Sequence, residues 1–268
     1  MPASQASLGE EARSPQGLYL LFEPGARPQR SDVLAMVEAL DLVWVSHDPA
    51  GSPADPQDAA QGRDGYSGQW LELMMSGLTF DLLGMAPAPG VAVPQVVHRV
   101  ALGAECDPHG KEALVLVPGP HLADGANSLP IVRAMLDLGC KMARRLEGVE
   151  AICWSPARSA TATELFCRSV EGWTEGGPFP ALGLTSFAAN GEGQFASEGL
   201  GFFVGQELRF HPTLAQDRLA ATRLGMRLVH DIVSAGRVGE AREFVTEDGE
   251  RYSLSPLPDC DIVEVSRM

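Results

Sequence analysis

Short apolar runs alternate with amphipathic stretches of helical period along most of the chain. Gly17–Phe22 reads as a strand. Ser31 then caps a helix whose apolar face is Val33, Met36, Val37 and Leu40. Leu42–Val45 returns as a strand, and Trp70–Met75 and Thr79–Met85 read as a paired couple. Pro94–Leu102 opens on a residue suited to a first helical turn, while its valines suit a strand equally. Ala113–Val117 is a continuous apolar run, as expected of a buried strand. The stripe Ile131, Met135, Leu138 and Met142 predicts a helix over Leu129–Glu147, after Ser128 and before Gly148.

Ala151–Trp154 is a short strand. Thr161 with Glu164, and Thr213 with Gln216, have capping-box spacing before two further helices. The second of these runs to about Ala235, with Leu224, Leu228 and Ile232 inward. Leu182–Phe187 and Gly201–Phe210 read as strands, with a turn near Asn190-Gly191. Arg242–Val265 reads as short strands joined at Asp248-Gly249.

Antiparallel strand runs broken by single crossover helices predict an α+β protein. Its sheets are mainly antiparallel with helices on one face, and ferredoxin-like split β-α-β units fit both halves. Residues 1–15 read as disordered, and 16–268 as one body with possible subdomains 16–110 and 111–268. The stretch 48–69 is rich in Pro, Gly, Asp and Ser and reads as a mobile loop.

The segment Gly199–Phe210, GLGFFVGQELRF, looks like a phosphate-cradling loop, but its glycines run into an alternating segment rather than a helix. On a strand, Phe202, Val204, Leu208 and Phe210 share one face, and Phe203, Gly205, Glu207 and Arg209 share the other. Glu207 and Arg209 are therefore candidate binding residues, either as a surface charge pair or around a carboxylate positioned in a cleft. Trp154, beside Cys153, is a third candidate, lining a ligand pocket with Phe203.

Composition narrows the function classes. With a net charge of −15, the surface repels phosphate backbones and anionic lipid, so neither nucleic acid nor membrane is the expected partner. No apolar run approaches the roughly 20 residues that span a bilayer. The start MPASQASLGEEARSPQ lacks the basic and apolar regions of a signal peptide, which leads to a cytoplasmic expectation. Five cysteines without a C-x-x-C pair read as reduced, mostly buried thiols.

Neither a nucleophile elbow nor a P-loop is present; Glu112 stands where a P-loop would place a hydroxyl after Gly110-Lys111. Cys106 and His109 have metal-ligand spacing, with His121 and Asp124 as possible completing ligands, although an ordinary polar loop is the simpler reading. Cys153 and Cys167 read as core thiols. His230 and Asp231 are adjacent on a helix and point about 100° apart, so they do not form a dyad by themselves. No cofactor is expected.

Several segments, taken in order, resemble the bacterial domain-of-unknown-function family 4261. They are Leu18–Phe22, Pro94, Ala113–Val117, Cys153-Trp154-Ser155-Pro156, Phe179-Pro180 before Leu182–Ser186, and Gly199-Leu200 with Gly205-Gln206-Glu207-Leu208. The resemblance implies a bacterial accessory or immunity-type protein and brings no catalytic residue with it. The leading expectation is a non-enzymatic module that binds another protein, a basic one suiting the acidic surface. The alternatives are a hydrolase using Glu207, or a metal at Cys106 and His109, and a small-ligand sensor at Trp154.

Overall fold

The first sheet grows from β1 (Leu18–Phe22), whose five residues are all buried because both of its faces are covered. A computed structural model describes residues 14–50, 70–189, 193–258 and 261–268. The turn at Asn190-Gly191, residues 1–13 and residues 51–69 of the expected loop lie outside these. Helix α1 (Arg30–Glu38) follows, then β2 (Val43–His47), β3 (Trp70–Met75), β4 (Leu78–Leu83), β5 (His98–Val100) and β6 (Glu112–Pro118). Helix α2 (Leu129–Ala143) leads to β7 (Ala151–Trp154) and β8 (Ser159–Ala162).

These eight strands order as β2-β3-β4-β6-β1-β7-β8-β5, and every pairing is antiparallel except β5 with β8. β6 and β7 both run against β1 and hence parallel to one another. With α2 joining them, they make a split β-α-β unit around β1.

Helix α3 (Thr163–Thr174) and one distorted turn, α4 (Ala181–Leu184), lead to the second sheet. Its strands are β9 (Ser186–Ala189), β10 (Phe195–Glu198), β11 (Glu207–Phe210), β12 (Arg242–Val245), β13 (Arg251–Pro256) and β14 (Ile262–Arg267). The order is β12-β13-β14-β11-β10-β9, and only β11 and β14 pair in parallel. Between β10 and β11 lies α5 (Leu200–Val204); between β11 and β12 lie α6 (Pro212–Ala215) and α7 (Arg218–Ala235). β11 and β12 point the same way, but β13 and β14 separate them, so the second crossover is wider than a split unit.

The α+β class holds. The faces of β1 divide by alternation: Leu18, Leu20 and Phe22 join the helices, while Tyr19 and Leu21 pack under Val91 and Val96. Helix α2 sits so close to β1 that a Cβ on Gly139 would fall 2.2 Å from Leu18 Cδ2. Gly225 gives α7 the same closeness to Phe187. Inner residues of both sheets and the helices share one buried cluster, including Leu208, Phe210, Val263 and Val265. Each such side chain contributes roughly 1.5–3 kcal/mol. The division expected near residue 111 has no counterpart in the sheets, because β6, β7 and β8 continue the sheet begun by β1. No helix among the described residues is long and apolar enough to cross a membrane.

Several local expectations are corrected. Gly201–Phe210 is not one strand: left-handed Gly199 (φ 96°) and Gly205 (φ 68°) bracket α5, and only Glu207–Phe210 is extended. Pro94–Leu102 forms no helix; it contributes β5 alongside β8. Thr161 lies in β8 and Ala162 is the cap position of α3. Helix α7 is capped by Asp217, whose carboxylate accepts from the Ala220 N–H at 3.0 Å, so Thr213 and Gln216 do not cap it. α1 starts after Gln29 rather than Ser31, and α2 ends at Ala143.

Candidate functional site

The sequence candidates scatter. Glu207 opens β11 and turns its carboxylate back onto α5. Its Oε1 accepts from the N–H groups of Gly199 at 2.9 Å and Gly201 at 2.8 Å, and the Ser197 hydroxyl donates to Oε2. The glycine-rich segment therefore does cradle an anion, supplied by its own chain. Burial raises the Glu207 pKa above its ordinary value, and these neutral donors only partly offset it. The carboxylate borders a cleft of about 520 Å³ with Gln16, Asn127 and Phe202. Its oxygens, by accepting these bonds, hold β10, α5 and β11 together.

Arg209 is on the same strand face as Glu207, but no ion pair joins them among the described residues; it lies opposite Glu264 of β14. Trp154 is wholly buried, 5.2 Å from Phe202 edge to face and 6.3 Å from Phe203. Trp154 itself lines no cleft among the described residues, while Phe202 and Phe203 each border one.

His109 Nε2 pairs with the Val96 carbonyl at 3.2 Å, and burial raises the Cys106 thiol pKa. His121 lies instead against Thr79, at 3.3 Å. No group of three metal-ligating side chains occurs among the described residues. Cys153 is buried and its pKa is pushed up to about 12, which fits a packing thiol.

Two features were missed by sequence reasoning. The first is a latch between the sheets: Glu198 of β10 accepts from Arg158 through both oxygens and lies 2.9 Å from His98 Nε2. Burial pushes Glu198 up, but the hydrogen bonds from His98 and Arg158 outweigh it and hold its pKa below the usual range. Arg158 reaches this position from a left-handed turn (φ 45°) between β7 and β8.

The second is an open groove of about 1000 Å³ between α3, the 178–182 segment, α7 and β12. Trp173, Phe179, Leu182, Met226, Phe244 and Val245 supply its apolar surface. Leu182 is 43% and Val245 55% exposed. His230 and Asp231 lie on this wall and diverge as helical spacing requires. His230 Nδ1 accepts from the Phe179 N–H at 3.3 Å, and Asp231 pairs with Arg242. Of the positions singled out in the sequence, Phe179, Pro180, Leu182, His230 and Asp231 line this groove. No family model, curated protein or solved structure matches the chain.

Proposed function

We propose that this protein is a non-enzymatic interaction module that holds a segment of another protein in the groove between α3, α7 and β12. The observation that carries this reading is the exposure of Leu182 and Val245 on an apolar groove bordered by a sheet edge. A contiguous apolar recess of this kind favours a macromolecular or ligand contact over bare solvent. The engagement of Glu207 in an internal cap supports a binding role over hydrolysis. An accessory or immunity-type role in the bacterial cytoplasm, in keeping with the resemblance to family 4261, fits this reading.

The test is affinity capture from a bacterial lysate with tagged wild type, Leu182→Asp and Val245→Asp. A host protein retained by wild type is expected to fall at least tenfold on both variants, with their melting temperatures unchanged. Equal retention on all three proteins would refute the groove as the binding site.

A further inference from the structure

We propose that the cleft beside Glu207 is a binding site of its own, separate from the groove, and that it takes a small primary ammonium compound. The cleft holds about 520 Å³, a volume suited to a small molecule. α5 and β11 contribute Phe202 and Glu207 to it. The segments before β1 and α2 contribute Gln16 and Asn127.

Charge identifies the ligand class. Glu207 is the only ionisable side chain among the described residues that line the cleft. Its donors are the Ser197 hydroxyl and the N–H groups of Gly199, Leu200 and Gly201, all neutral. Glu198, at the other end of the same excursion, finds Arg158 and His98 within the fold. Glu207 finds no cation among the described residues. Arg237, which lines an adjoining cleft with Asn127, is held by Asp261 and by the Gly205 carbonyl, each at 2.9 Å. A half-buried carboxylate without a cation, open to a cleft, is complemented by a positive ligand. The net charge of −15 favours its approach.

The acceptor geometry narrows the cation. Oε1 already accepts from the Gly199 and Gly201 N–H groups, which fill its two lone-pair directions. Oε2 accepts from Ser197, and the Leu200 N–H contributes least of the donors. A guanidinium forks across both oxygens, whereas an ammonium needs a single point, and Oε2 has room for one. Gln16 and Asn127 make no side-chain hydrogen bond among the described residues, so their amide oxygens can accept the other two ammonium protons. The Phe202 ring offers an apolar face to the carbon chain, and its π-face favours a nearby cation.

The probe is butylammonium, compared with butanol, butyrate and butylguanidinium, with affinity read from the backbone amide resonances of isotope-labelled protein. Butylammonium is expected to shift the Gly199 and Gly201 amides. It should bind at least tenfold more tightly than butanol or butyrate, and at least threefold more tightly than butylguanidinium. Glu207→Gln should weaken it at least tenfold, and Asn127→Ala about threefold. The amine stays protonated while Glu207 must be ionised, so affinity at pH 4.5 should be less than half that at pH 7.

Equal affinity for butanol, shifts confined to residues outside the cleft, or no saturable binding of any probe overturns the site. Full affinity in a folded Glu207→Gln, or an unchanged affinity at pH 4.5, overturns Glu207 as the partner of the ligand. Tighter binding of butylguanidinium overturns the single-point ammonium. Should Glu207→Gln fail to fold, the wild-type series and its pH profile decide the matter. None of these readings involves Leu182 or Val245, so the cleft and the groove stand or fall separately.

Discussion

Glu198 and Glu207 stand at opposite ends of the excursion from β10 to β11, and burial pushes both pKa values up. Their outcomes differ. Glu207 receives hydrogen bonds from Ser197, Gly201, Gly199 and Leu200, all neutral donors, and its pKa stays raised. Glu198 has an arginine and a histidine, and its pKa ends below the usual range. Two differences decide the result: Glu207 is the more deeply buried, and only Glu198 faces a guanidinium, which directly stabilises the ionised form against desolvation. The structural roles follow. Glu207 organises its own local turn, whereas Glu198 ties the second sheet to His98 and Arg158 of the first.

The hardest test of the Glu207 region is Gly199→Ala. The added Cβ would lie 2.7 Å from Ala157 Cβ and 2.8 Å from the Leu184 carbonyl, on a backbone at φ +96°. The steric and left-handed penalties together should cost about 3 kcal/mol in urea denaturation. A cost below about 0.5 kcal/mol would mean that the turn carrying the cap is not tightly held. Glu207→Ala comes next. It strands the Gly199 and Gly201 N–H groups and should cost about 2 kcal/mol. Glu207→Gln keeps an acceptor and should cost about half as much. Equal losses for the alanine and glutamine variants would show that the charge, rather than the acceptor, holds the turn.

The fold was legible where burial alone sets the pattern. β1, β6 and β7 are buried apolar runs, and the stripe of α2 follows helical period, so their sequences carry enough signal. Gly201–Phe210 misled because its apparent alternation contains two states. The left-handed glycines that break it are visible as glycines, but the carboxylate completing the turn arrives from six residues downstream of Gly201. Capping boxes failed for a related reason. Thr161 satisfies the spacing, but tertiary pairing draws it into β8. The latch and the groove were not legible, since each joins residues that only the sheet order brings together. His98 and Glu198 are 100 positions apart, and the groove assembles α3, α7 and an edge strand. Likewise, the buried Gln206 amide exchanges hydrogen bonds with the Val238 backbone at 2.8 and 3.1 Å, and local pattern does not announce that pairing.

The latch predicts a smaller effect than the cap. Glu198→Gln should cost about 1 kcal/mol, because its side chain is 28% and that of Arg158 42% exposed, and solvent screens the pair. A double-mutant cycle of Glu198→Gln with Arg158→Gln should give a coupling of about 0.5–1 kcal/mol. Zero coupling would remove the contrast between a cationic and a neutral environment. A coupling above about 3 kcal/mol would instead mark a desolvated pair, in which breaking one partner leaves a buried charge.

The finest test is the pH dependence of stability, because the two carboxylates have opposite signs. Both start from 4.5. The folded pKa of Glu207 is raised, so as pH climbs above 4.5 the unfolded chain loses its proton first and stability falls until the folded value is passed. The folded pKa of Glu198 is depressed, so its contribution is complete above 4.5 and is lost as pH falls through the folded value. The stability of wild type minus Glu207→Gln should therefore decline with rising pH, only above 4.5. Wild type minus Glu198→Gln should decline with falling pH, only below 4.5. Urea midpoints taken between pH 3 and pH 7 resolve the two windows. If both differences moved in the same window, a cation would have to reach Glu207 in solution, and its neutral cap would no longer explain its raised pKa.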